Sequence, residues 1–140
     1  MIKSLLDCGV TGQAVAIEGK IAKICYNGRL VPICGRFFWD NNNGARLFCK
    51  MLGKKGGIVQ KYEFKLTEDA YYAGTCSSTD KHITVCSAGK NKHTLGGKTR
   101  WGTGSCNKGS KAAIYIECDG KTSLLYFKCI FSPSNFSKSR

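Results

Sequence analysis

Acidic residues are scarce in this chain. Nine Asp and Glu stand against 22 Lys and Arg over 140 residues, a formal charge of +13. No acid occurs between Asp80 and Glu117, a stretch that holds Lys81, Lys90, Lys92, Lys98, Arg100, Lys108 and Lys111 with His82 and His93. A second acid-free run, from Asp40 to Glu63, carries Arg46, Lys50, Lys54, Lys55 and Lys61. A field of this sign attracts polyanions and speeds encounter with them. The bland alternative is solubility alone, since lysine is a readily solvated surface residue.

Other absences narrow the class. No apolar run approaches the roughly 18 residues a membrane-spanning helix requires. Prolines number two against 17 glycines, which favours tight turns over stiff extended segments. His-Glu-x-x-His is absent, as is a phosphate-binding glycine loop ending in Lys-Ser or Lys-Thr. Gly102-Thr103-Gly104-Ser105-Cys106 reads as a turn, because no long apolar strand precedes it. Apolar residues make up 42% of the chain, too many for a disordered protein. Met1-Ile2-Lys3-Ser4-Leu5-Leu6-Asp7 is too short and too soon charged for a signal peptide, so a secreted protein would be represented here by a mature chain or an excised domain.

Cysteine is abundant, but no Cys-x-x-Cys pair occurs. Nine cysteines stand at 8, 25, 34, 49, 76, 86, 106, 118 and 129. Structural zinc sites bring two ligands close in sequence, so wide and uneven spacing favours disulfides over a metal, and no metal or other cofactor is expected. Disulfides persist in oxidising compartments, which points to a secreted or extracellular protein rather than a cytosolic one with reduced thiols. Nine is odd, so one thiol is left over or bridges to another chain in a disulfide-linked dimer.

Periodicity gives strands and one helix. Lys61 to Leu66 alternates, with Tyr62, Phe64 and Leu66 on one face and Lys61, Glu63 and Lys65 on the other. Shorter strand candidates are 13–18, 20–26, 30–34, 83–86, 112–118 and 123–131, bounded by turn residues such as Asn27-Gly28 and Asp119-Gly120. Ala45, Phe48, Cys49 and Leu52 form one helical stripe after Asn41-Asn42-Asn43, which can cap a helix, and before Gly53, which can end one. The spacing predicts a helix over about 44–52 with Cys49 on its buried face. The tail from Ser132 to Arg140 reads as frayed, with a short glycosylation sequon at Asn135-Phe136-Ser137.

Gly28-Arg29-Leu30-Val31-Pro32-Ile33-Cys34, then Trp39-Asp40, then Ala45-Arg46-Leu47-Phe48-Cys49-Lys50-Met51-Leu52-Gly53, followed by the later cysteines, resembles the scavenger receptor cysteine-rich family. The resemblance runs from about Ala16 to Cys118. It implies an α+β, mainly β fold: a small, disulfide-stapled curved sheet cradling one short helix. It implies a domain over 16–118, with an N-terminal extension over 1–15, a C-terminal strand extension over 119–131 and a flexible tail over 132–140. It implies the disulfides Cys34–Cys106, Cys49–Cys118 and Cys76–Cys86. Cys8 and Cys129 flank the matched region and would tie the two extensions together, with Cys8–Cys25 the alternative.

Members of that family often place two acids after the first common cysteine and more acids before the last, forming a divalent-cation site. Here those positions read Gly35-Arg36 and Asn107-Lys108-Gly109-Ser110-Lys111. A hard cation requires oxygen ligands, which Lys and Arg do not supply. Bases where acids are expected suggest direct anion binding instead. The candidate ligand-binding patch is Lys81, Lys90, Lys92, His93, Lys98, Arg100, Trp101, Lys108 and Lys111, with arginine for oxyanions and Trp101 to stack on a base or sugar unless it is simply core. Trp39 reads as core, and Glu68-Asp69 as a solvated loop.

The expected function is a secreted binding module for sulfated glycans, bacterial surface polymers or extracellular nucleic acid, without catalysis. The alternatives are a protein–protein recognition domain and a secreted ribonuclease. The ribonuclease would use His82, His93 and Glu117 as proton carriers and Lys81, Lys92 or Arg100 as the oxyanion cation.

Overall fold

The computed structural model describes residues 7–61, 64–87, 94–98 and 105–120. It is mainly an antiparallel sheet with one α-helix, held by disulfides. The strands are β1 (Val15–Glu18), β2 (Ile21–Tyr26), β3 (Arg29–Pro32), β4 (Gly57–Lys61) and β5 (Ile114–Cys118), and the helix is α1 (Asn43–Met51). No helix among the described residues is long and apolar enough to cross a membrane.

β1, β2 and β3 form a meander. Glu18 pairs with Ile21 and Tyr26 with Arg29, so Gly19-Lys20 and Asn27-Gly28 are two-residue loops. All four loop residues have positive φ, the geometry whose twist matches flanking strands. One edge of β2 carries β1. The other is shared: β3 takes Lys23 to Tyr26, and β5 meets only Ile21, through Tyr115. β4 and β5 then pair over their full lengths, from Gly57↔Cys118 to Lys61↔Ile114.

The core lies between the sheet and α1. Ala22, Ile24, Val31 and Ile114 face Ala45, Phe48 and Leu52, with Phe38, Tyr71 and Ile83 filling the remainder. Burial pushes the Tyr71 phenol up to about 12, helped by Tyr26. The helix stripe is as its spacing predicts, and Gly53 (φ +84) ends it: its amide donates to Lys50 O and that of Lys54 to Cys49 O. The asparagines serve differently from a side-chain cap. Asn42 Oδ1 accepts from the Val59 amide at 2.9 Å, and Asn43 Nδ2 donates to Cys76 O at 3.0 Å. They tie the helix entry to β4 and to the Cys76 loop, while Asn41 Oδ1 closes a local turn on the Asn43 amide.

Four disulfides join described residues: Cys8–Cys25, Cys34–Cys106, Cys49–Cys118 and Cys76–Cys86. The last three are the pairs that the family resemblance implies. Cys8 takes the alternative partner rather than Cys129, because its amide donates to Gly28 O and lays the segment beside Cys25. The four pairs use eight of the nine cysteines; Cys129 lies outside the described residues, as do the expected 123–131 strand, the tail and the sequon. The Cys49–Cys118 bridge sets a close approach at Gly57, where a β-carbon would lie 2.6 Å from Glu117 O and also overlap Cys49 Sγ.

Two further expectations are corrected. Ile83–Val85 is a 3₁₀ turn, not a strand, since His82 Nδ1 accepts from the Thr84 amide and the Cys76–Cys86 bridge closes a ten-residue loop. Glu68-Asp69 is not simply solvated: Glu68 binds Lys23 and Arg29, and Asp69 Oδ1 accepts from the Lys108 amide at 2.8 Å. Trp39 is half-buried and packs on both apolar clusters.

Candidate anion-binding surface

Past β4 and β5 the same two stretches of chain stay together. Ala113 donates to Phe64 O, Lys65 pairs with Lys111, and Leu66 donates to Ser110 O at 2.8 Å. Between the Lys61↔Ile114 and Lys65↔Lys111 pairs, the first stretch spans four residues and the second three. Val59 packs on the main core, and Phe64 and Leu66 pack in a second cluster with Ala70, Tyr72, Ala112 and Ala113.

Above that second cluster stands a corner of cations. Lys65 and Lys111 are directly opposite on an antiparallel bridge, so their side chains share a face, and both are exposed. Lys108 lies in the turn that Ser110 closes onto Asn107 O. Lys98 pairs with Ser105, whose hydroxyl is 3.2 Å from that of Ser110, next to Lys111. The Cys34–Cys106 bridge and the Gly35 amide, which donates to Ala112 O at 2.8 Å, bring Gly35-Arg36 to the same place. The two segments in which the resemblance places cation-binding acids therefore meet, but they meet as bases.

Lys65, Lys98, Lys108 and Lys111 make no ion pair among the described residues. Arg36 Nε is buried and has no hydrogen-bond acceptor among them. Like charges directly opposite one another on adjacent strands repel. The donor set does not fit a hard cation, which takes six to eight oxygens. It fits an oxyanion, which takes N–H donors and positive charge.

The structure thus gathers Lys98, Lys108 and Lys111 and adds Lys65 and Arg36. Lys81 stands apart, on the Cys76–Cys86 loop ahead of the turn at Ile83. Lys90, Lys92, His93, Arg100 and Trp101 lie outside the described residues. Lys65 carries no local signal, since Glu63 lies two residues away; only its pairing with Lys111 reveals it.

Of the proton carriers considered for RNA cleavage, His82 and Glu117 lie among the described residues and each makes a hydrogen bond there. His82 Nδ1 is engaged by the Thr84 amide and hydroxyl, at 3.3 and 3.0 Å, and Glu117 Oε1 accepts from Gln60 at 3.0 Å. Cys76, Asp80 and Cys86 lie close enough to hold a metal, but the two sulfurs are bonded to each other and offer no thiolate. Comparison with known proteins found no matching family model, no matching curated protein and no matching solved structure.

Proposed function

We propose that this chain is an extracellular binding module, built on a plan like that of the scavenger receptor cysteine-rich family, that holds polyanions directly on the corner formed by Lys65, Lys98, Lys108, Lys111 and Arg36. The observation that carries the reading is the Lys65–Lys111 pair, two exposed lysines directly opposite each other on an antiparallel bridge with no carboxylate partner among the described residues. Repulsion of this kind is relieved when an anion bridges the pair. The three family-like disulfides and the meeting of Gly35-Arg36 with Asn107–Lys111 support the plan. The reading is binding rather than catalysis: the described residues of the corner offer cations and hydroxyls, and the carboxylate beside them, Asp69, accepts from the Lys108 amide.

The test is a salt titration of binding to a heparin hexasaccharide and to a short oligothymidylate. Log affinity should fall linearly with log salt, each lysine engaged on the single strand contributing about 0.7 to the slope. A Lys65→Gln/Lys111→Gln double variant should flatten the slope by about 1.4, whereas Lys81→Gln leaves it unchanged. Failure to bind either polyanion would sink the proposal. A salt-insensitive protein ligand bound instead would favour the protein-recognition reading, with its buried aromatic anchors.

A further inference from the structure

Lys20 occupies a position that glycine normally fills. It is the second residue of the two-residue loop between β1 and β2, at φ +78. The matching position of the next turn holds Gly28, at φ +86. A side chain with a β-carbon is strained there, and such strain is found where a position is kept for a task.

The Lys20 side chain overhangs a cleft. β5 touches β2 at the Ile21–Tyr115 pair alone, and an opening of about 280 Å³ lies where the strands part. Ile17, Lys20, Gln60, Tyr115, Ile116 and Glu117 line it. The volume lies just below the range of about 300–1,000 Å³ for drug-sized ligands and suits a single small ring. Lys20 Nζ is 5.9 Å from the centroid of the Tyr115 ring, the outer limit of a cation–π contact, so the two bracket a gap. Phe64 braces that ring at 5.3 Å. Gln60 lies opposite Tyr115 across the strands, and its amide nitrogen holds Glu117 Oε1 at 3.0 Å. Among the described residues, the amide oxygen of Gln60 and the second carboxylate oxygen of Glu117 remain as acceptors. Ile17, 39% exposed, adds an apolar wall.

We propose that this cleft binds one uncharged sugar ring. An aromatic face suits the apolar face of a pyranose, because its negative quadrupole attracts weakly positive C–H groups. Hydroxyls donate to Glu117 and Gln60 and accept from Lys20. The charges of Lys20 and Glu117 cancel, and Glu117 repels an anion, so the ligand is neutral. The site is independent of the lysine corner, and its affinity is insensitive to salt.

The experiment is a titration of the full chain, followed by backbone amide resonances, with methyl β-glucopyranoside, methyl β-galactopyranoside, methyl α-mannopyranoside and N-acetylglucosamine. At least one should shift the amides of Lys20, Gln60 and Tyr115, saturating with a Kd on the order of 1 mM and changing less than about twofold between low and high salt. Lys20→Gly should raise the melting temperature by relieving the turn and weaken that sugar about tenfold. Four sugars that leave these amides unmoved, a Lys20→Gly variant that binds as tightly as the parent, or binding that disappears with salt would each overturn the proposal. Because Lys20→Gly is expected to stabilise the hairpin, lost binding in that variant is not a loss of folding.

Discussion

Lys23 and Arg29 share Glu68, at 3.4 and 3.1 Å, and Lys23 also reaches Glu18 at 3.1 Å. Lys65 and Lys111 face each other across a bridge with no such partner among the described residues. Lys23 and Arg29 of the meander are therefore neutralised, while the corner past β4 and β5 accumulates cations. Among the described residues, the contrast shows that positive charge is not spread as an even solvating coat. Four of the nine acids are engaged within the fold: Glu18 and Glu68 by lysine and arginine, Asp69 by the Lys108 amide and Glu117 by Gln60. The corner is left positive, and it is fixed in place by the Cys34–Cys106 bridge rather than by ion pairs.

The largest effect should come from removing that bridge. Cys34 and Cys106 are 72 residues apart, a loop whose closure restricts the unfolded chain by about 4 kcal/mol. In the meander, Cys8 and Cys25 are 17 apart, a closure worth about 3 kcal/mol in the same model. A Cys34→Ala/Cys106→Ala variant should lose more unfolding free energy in urea than Cys8→Ala/Cys25→Ala, and it should also lose polyanion binding. Equal losses, with the anion affinity intact, would mean that the bridge does not build the corner.

Next in size is Glu68→Gln, which tests the balanced side. Both partners of its shorter-lever pair are partly covered, with Lys23 18% and Glu68 31% exposed, so the cost should be about 1 kcal/mol, near the top of the range for surface pairs. The variant leaves Lys23 and Arg29 without their shared carboxylate. It should therefore add polyanion affinity at low salt where the parent has none, read as a second and weaker binding phase. If affinity is unchanged, accessible cations alone do not bind polyanions here, and the corner owes its role to geometry.

Much of the frame was legible because it is local. The 3.6-residue stripe of Ala45, Phe48, Cys49 and Leu52 marks α1, and Asn27-Gly28 marks the β2–β3 turn. The order of cysteines, through the family resemblance, carried three of the pairings now seen. What stayed hidden depends on contacts distant in sequence. The β-branched run at Ile83 reads as a strand until His82 and the Cys76–Cys86 loop bend it into a turn. The alternation read from Lys61 to Leu66 holds where it is described, with Phe64 and Leu66 on the second apolar cluster and Lys65 exposed, but nothing short of the pairing with Lys111 reveals what Lys65 faces. The site was half legible for the same reason. A scarcity of acids marks the region from Lys81 to Lys111, but only pairing shows that Lys65 belongs with Lys111 and that Lys81 does not.

The smallest effect is also the most discriminating. Lys65→Glu places an opposite charge across the bridge from Lys111, and favourable cross-strand pairs contribute roughly 0.2–1 kcal/mol. Removal of the repulsion acts in the same direction. The variant should therefore be more stable than the parent by about 0.5 kcal/mol in urea unfolding, although it loses a cation from a surface already exposed to water. Polyanion affinity should fall at the same time, since one ammonium is lost and a carboxylate now repels the ligand beside Lys111. Opposite changes in stability and affinity are what a binding surface predicts. A solvating surface predicts no coupling: stability would move slightly and affinity not at all. The same substitution at Lys50, exposed on α1 and away from the bridge, provides the comparison, because there a charge reversal changes net charge by the same amount without touching the pair.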